Sequence, residues 1–249
     1  MSGEPSADSD IRADILEEGR RVLAAARTEG VPLRLLGGVA VRLRCSGPER
    51  EFKDLDFATS KKSGGDAQDL LRRLGYEPHV GFNAMNARER LLFFDDANGR
   101  QVDVFVGSFR MCHEIPLEAR LDVHTDTVPL AELLLTKLQI IELNEKDVHD
   151  SIVLLHEHDV TEDDTGVNAP RVASLCACDW GLWRTITANL DAVASHLDRY
   201  DVDRERVSSR LATLQQRIED AEKSRGWRLR AKVGDRKRWY ELPEEVGGV

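Results

Sequence analysis

Apolar positions along the chain follow two spacings, and these divide it into elements. Ile11, Ile15, Val22 and Ala26 recur three or four apart, which predicts an amphipathic helix over residues 9–28, ended by Gly30. Residues 32–36 read as a strand, 39–44 as a short helix and 52–58 as a second strand. A Ser63-Gly64-Gly65 break opens a helix over 66–74, closed by Gly75. Residues 90–95 and 100–106 alternate with period two and are joined by Asp96-Ala97-Asn98-Gly99, a strong hairpin signal. Residues 109–128 read as irregular or weakly extended. Pro129 then opens a helix with Leu130, Leu133, Leu134, Leu138 and Ile141 on one face, and a further helix covers 146–156.

Beyond an acidic loop at 161–165, the best boundary in the composition, two long helices are predicted. The first covers 172–197 on Leu182, Ile186, Leu190, Val193 and Leu197. The second covers 204–223 on Val207, Leu211, Leu214, Ile218 and Ala221. Packing their apolar seams antiparallel buries both. The tail from Trp227 to Val233 alternates apolar and basic residues strictly; Gly234-Asp235 reads as a turn and residues 236–240 as the return strand. A terminal β-hairpin with one cationic side follows. The fold class is therefore α/β (α+β): a mixed sheet flanked by helices, then a helical C-terminal region ending in that hairpin.

Composition narrows the partners. A chain of 249 residues, 41% hydrophobic and 32% charged, is that of an ordinary soluble globular protein. Its formal net charge of −10 argues against global nucleic-acid affinity, so contact with RNA needs a local patch. Arg228, Arg230, Lys232, Arg236 and Arg238 supply one on the predicted hairpin, with Trp239 or Tyr240 placed for base stacking. No apolar run reaches membrane-spanning length and the first ten residues are polar, so a cytoplasmic protein without membrane contact is expected. Cys45, Cys112, Cys176 and Cys178 form no C-x-x-C pair and read as reduced thiols.

The chemistry gathers between residues 33 and 58. A short apolar strand ends in Gly37-Gly38, a helix begins there, and the next strand carries Asp54 and Asp56. Residues two apart on a strand share a face, so the two carboxylates project together while Leu55 and Phe57 turn to the core. Side-by-side carboxylates repel unless a cation lies between them, and hard oxygen ligands suit Mg²⁺ with a phosphate completing its shell. Glycine before a helix N-terminus lets the backbone approach such a phosphate. A lone carboxylate, Asp103, stands in the later strand Val102-Asp103-Val104.

Strand, Gly-Gly, helix, Asp-x-Asp strand and a third carboxylate on a later strand together resemble the polymerase β-like nucleotidyltransferase superfamily. The segments Leu135-Thr136-Lys137-Leu138 and Lys146-Asp147-Val148-His149-Asp150 look like the AbiEii-type toxin branch of its minimal members. The resemblance implies that Asp54, Asp56 and Asp103 hold Mg²⁺, that Gly37 and Gly38 cradle the β,γ-phosphates of an NTP, that Lys137 contacts the triphosphate, and that Asp147 orients a neighbour or the attacking hydroxyl. It implies a nucleotidyltransferase core over 1–128, helices completing its cleft over 129–160, and a C-terminal domain over 161–249. The activity implied is transfer of NMP from an NTP to a hydroxyl of RNA or protein, with a cognate antitoxin as a partner if the chain is a toxin. Two alternatives differ in class: transfer to a small molecule of the antibiotic type, or a degenerate nucleotide-binding module without catalysis.

Overall fold

The computed structural model describes residues 11–46 and 51–242, which fall into two compact units. The first takes the described residues up to Phe109 together with 116–128; the second takes 110–115 and everything described from Pro129 onward.

In the first unit α1 (Ile15–Thr28) begins where Asp14 accepts a hydrogen bond from the Glu17 amide at 2.8 Å. It is followed by β1 (Arg34–Leu36), α2 (Gly37–Arg44), β2 (Asp54–Thr59), α3 (Gly64–Arg73), β3 (Glu77–Pro78), α4 (Val80–Asn86), β4 (Arg90–Asp95) and β5 (Arg100–Val106). The five strands form one sheet in the order β1-β2-β5-β4-β3, in which only β2 and β5 run parallel. The β4–β5 turn is a true hairpin: Asp95 faces Arg100, Gly99 takes φ +62°, and the Asp95 carboxylate accepts from the Asn98 amide and side chain.

One face of this sheet is apolar. Leu35, Leu55, Phe57, Phe93, Val102 and Val104 alternate onto it and are fully buried. Helix α1 lies against that face at Gly19, where a methyl group would come within 3.3 Å of Leu35. At its end of the sheet Glu18 is fully buried, yet well supplied with donors. Its carboxylate accepts from Arg21 Nε and Nη2 at 2.8 and 2.7 Å, from the Arg12 amide at 2.9 Å, and from the Tyr76 hydroxyl.

After β5 in the sequence come β6 (Ser108–Arg110), β7 (Glu114–Pro116) and a 3₁₀ turn at Glu118–Arg120. The second unit contains α5 (Leu130–Leu138), α6 (Glu145–Glu157), the strands β8 (Val160–Thr161) and β9 (Val167–Asn168), α7 (Ala169–Cys178), α8 (Trp180–His196), α9 (Arg204–Asp220) and α10 (Arg225–Ala231). The acidic segment at 161–165 lies within this unit, between the paired β8 and β9. Among the described residues no helix is long and apolar enough to cross a membrane.

Two expectations are corrected. The terminal β-hairpin does not form: its first strand is α10 and its turn a 3₁₀ segment, Gly234–Arg236. Seven alternating residues satisfy helical neighbours as well as strand ones, and Ser224 decides the matter by capping the Trp227 amide at 3.1 Å. The cationic hairpin face goes with it, because Arg230 lies 4.6 Å over Trp180 and donates to the carbonyls of Gly234 and Lys237. The single helix over 172–197 is two helices, because the Asp179 carboxylate takes the Gly181 and Leu182 amides and ends one helix as it starts the next. The region between α3 and β4 holds α4, whose start is the imidazole of His79 accepting from the Phe82 amide, an unusual cap that no common sequence signal marks.

Candidate active site

Register gathers the predicted residues of the first unit onto the second face of the sheet. Asp56 lies opposite Leu36 of β1 on one side and opposite Asp103 of β5 on the other; Asp54 lies opposite Gln101. Directly opposed residues in a ladder point the same way. Asp54, Asp56 and Asp103 therefore share one face, two of them on adjacent strands at the same level. Asp54 is exposed, Asp56 half-buried and Asp103 buried.

Gly37 is built into this face. Gly37 has φ +69°, a conformation that suits glycine, and a methyl group there would collide with the Asp56 carboxylate, its Cγ only 3.0 Å away. Helix α2 starts at this glycine, with Leu36 contributing no side-chain cap. Asp56 thus lies at a helix N-terminus, where negative charge is favoured. Gly37→Ala is expected to cost about 2–3 kcal/mol through left-handed strain and displacement of Asp56. Denaturant unfolding reads this directly, and an unchanged midpoint would show that the close approach is not fixed.

Asp103 is held differently. Arg90 Nε donates to its Oδ1 at 2.7 Å and Gln101 Nε2 to its Oδ2 at 2.8 Å. The Arg90 guanidinium is fixed in turn by aromatic rings, 5.2 Å from the Phe105 centroid and 5.7 Å from that of Phe82. Arg90 is a site residue that sequence reasoning missed. Its signal lay in the register of β4 on β5: Leu92 faces Asp103, so Arg90, two residues earlier, shares that face and reaches the aspartate on the diagonal.

A divalent cation fits part of this arrangement. Asp54 and Asp56 offer hard oxygens on one face beside a glycine-lined helix start, and Mg²⁺ commonly uses one or two carboxylates plus phosphate and water. Asp103 differs, since Arg90 and Gln101 hold both its oxygens. Among the described residues no group of three or more His, Cys, Asp or Glu is gathered closely enough to hold a metal ion.

In the second unit Lys137 and Asp147 are brought together as a pair, with Asp150, the last residue of the segment 146–150 and one given no role from sequence, as a third member. Lys137 Nζ lies 3.1 Å from Asp147 Oδ1 and 2.9 Å from Asp150 Oδ2. Asn144 caps α6 by accepting from the Asp147 amide at 2.9 Å and donates to its carboxylate at 2.7 Å. Burial alone would lower the Lys137 pKa, but the two carboxylates outweigh it and the net shift is upward. The ammonium stays charged and bridges α5 to α6. Lys137→Met therefore leaves the almost fully buried Asp150 without this cation, and a loss of about 3 kcal/mol in stability is expected. Adding Asp150→Asn should recover part of that loss. Equal melting of wild type and Lys137→Met would show that the bridge contributes nothing.

No family model matches the chain, and no curated protein matches it. Among solved structures, the antibiotic-resistance factor ANT(2'')-Ia, studied in solution, is similar at 12% identity and a TM-score of 0.38, over 83% of this chain and 96% of that one. JHP933 from Helicobacter pylori is similar at 13% identity and a TM-score of 0.38, over 89% of this chain and 95% of that one. Both similarities are weak, and the functional reading rests on the chain's own residues.

Proposed function

We propose that the chain transfers a nucleotidyl group from an NTP to an acceptor hydroxyl, with a divalent cation held by Asp54 and Asp56. The observation that carries this reading is the alignment of Leu36, Asp56 and Asp103 across β1, β2 and β5, with Gly37 packed on the Asp56 carboxylate. Gly37, Asp54, Asp56 and Asp103 share one face, which supports the reading. Mg²⁺ bound there would neutralise phosphate charge and lower the pKa of an attacking hydroxyl.

The residues have separate tasks. Gly37 and Gly38 let the start of α2 approach the phosphates of the NTP. Asp54 and Asp56 would hold the divalent cation, which would offset the charge of the triphosphate. Asp103 carries the third negative charge of the face, and Arg90 fixes its direction. Lys137, clamped by Asp147 and Asp150, ties α5 to α6 within the second unit. The acceptor on this reading is RNA or protein. Arg228, Lys232, Arg236 and Arg238 all remain exposed, which keeps a local basic stretch for RNA.

The test is incubation of the full chain with each α-³²P-labelled NTP, Mg²⁺ and either total RNA or a protein lysate. Label entering one class of acceptor, and lost on adding EDTA, is the expected result. Failure of every NTP to label any acceptor, in Mg²⁺ or Mn²⁺, overturns the reading.

A further inference from the structure

A second concave site lies in the first unit and shares no residue with the face just described. A cavity of about 600 Å³ opens between the outer side of α1, the end of α2 and the segment 124–127. Arg12, Arg20, Arg21, Arg27 and Arg44 line it, with His124 and Thr127, although the buried Arg21 guanidinium is engaged by Glu18. Asp126 is the one carboxylate among the described residues that line it. Such a concentration of guanidinium groups is unexpected in a chain of net charge −10.

Local geometry turns these groups into hydrogen-bond donors. Arg44 is half-buried and donates to the Thr127 hydroxyl at 3.1 Å. Arg27 lies 2.6 Å from Asp126, and Arg20 lies 2.7 Å from Glu17; both are more than half exposed. They can swing to a ligand with little loss, since exposed ion pairs contribute less than about 1 kcal/mol. The imidazole of His124 has a fixed polarity. Its Nδ1 accepts from the amides of Asp126 and Thr127 at 3.3 and 3.2 Å, so the neutral ring carries its proton on Nε2. Burial, and then the nearby Arg44, favour that neutral form. Guanidinium and imidazole N–H groups in one cavity match an oxyanion and nothing cationic. The volume is that of a small-ligand pocket.

We propose that the cavity lined by Arg27, Arg44 and His124 binds phosphate oxyanions. The phosphates belong either to a free compound or to the phosphodiester chain of a nucleic acid, and both present the same chemistry to the arginines. The proposal does not depend on nucleotidyl transfer, because neither the aspartate pair nor the glycine pair takes part.

The full chain in EDTA, which removes any contribution from metal at Asp54 and Asp56, is titrated calorimetrically with inorganic pyrophosphate and, separately, with a short single-stranded RNA. Binding of pyrophosphate is expected, and Arg27→Gln/Arg44→Gln should weaken it by about tenfold or more. Arg72→Gln, a surface change outside the cavity, should not alter it. If the first double variant does not fold, Arg20→Gln/Arg27→Gln alters only exposed side chains and replaces it. RNA binding that pyrophosphate displaces identifies the phosphodiester source; pyrophosphate binding with no RNA binding identifies a free phosphate compound. Failure of both probes to bind wild type, or equal pyrophosphate affinity in wild type and the double variant, overturns the proposal.

Discussion

Asp56→Asn is expected to lower the proposed nucleotidyl transfer by about a thousandfold, or ~4 kcal/mol of transition-state stabilisation, with little change in melting temperature. Asparagine keeps the shape and one acceptor oxygen of Asp56 but removes the negative charge that a divalent cation requires. It also relieves repulsion from Asp54 on the same strand face and from Asp103 directly opposite. Asp103→Asn should behave in the other way. Its carboxylate faces the Arg90 guanidinium, whose side chain is only 15% exposed, so removing the charge leaves a nearly buried cation with a neutral partner. A stability loss of about 1–3 kcal/mol is expected there. The two substitutions thus separate by readout: Asp56→Asn in label transfer, Asp103→Asn in thermal melting. More than about a tenth of wild-type transfer surviving in Asp56→Asn would remove Asp56 from the proposed metal site.

How far the sequence could be read varied with the kind of signal each element carries. Period-two alternation around Asp96-Ala97-Asn98-Gly99 located β4 and β5 to the residue, because a short turn with glycine at positive φ fixes register. The glycine pair and the Asp-x-Asp pair were legible for the same reason: each sits at a strand end whose face follows from alternation. What escaped was set by contacts between distant elements. Arg90 on Asp103 depends on how β4 registers against β5, and Asp150 on Lys137 depends on how α6 packs against α5. The tail misled because a stretch as short as Trp227 to Val233 fits two periods. The deciding facts were a serine cap and an edge-to-face ring pair, Trp183 with Trp227, centroids 5.1 Å apart. Asp179 was similar, since a single side chain divides what the apolar spacing presents as one helix.

The largest stability effect is expected away from the site, at Glu18. Four donors converge on this fully buried carboxylate: Arg21 through two nitrogens, the Arg12 amide and the Tyr76 hydroxyl. Arg21 itself is 3% exposed. Glu18→Ala leaves a guanidinium and a phenol buried without their carboxylate, and about 3–5 kcal/mol of stability should go with it. Melting of the first unit should fall by about 10 °C or more. The same site predicts the acid limb of stability. Burial pushes the Glu18 pKa up, but the hydrogen bonds from Arg21, Tyr76 and the Arg12 amide outweigh it, and the folded-state value is lowered. A group depressed on folding stabilises fully above its unfolded value, about 4.3 for glutamate, and that contribution is lost as pH falls through the folded value. Wild type should therefore lose stability steadily from about pH 4.3 downward, and Glu18→Gln should be less stable at neutral pH but flatter over the same acid range. Urea unfolding at a series of pH values measures both. Parallel curves for wild type and Glu18→Gln below that point would mean that other carboxylates set the acid limb.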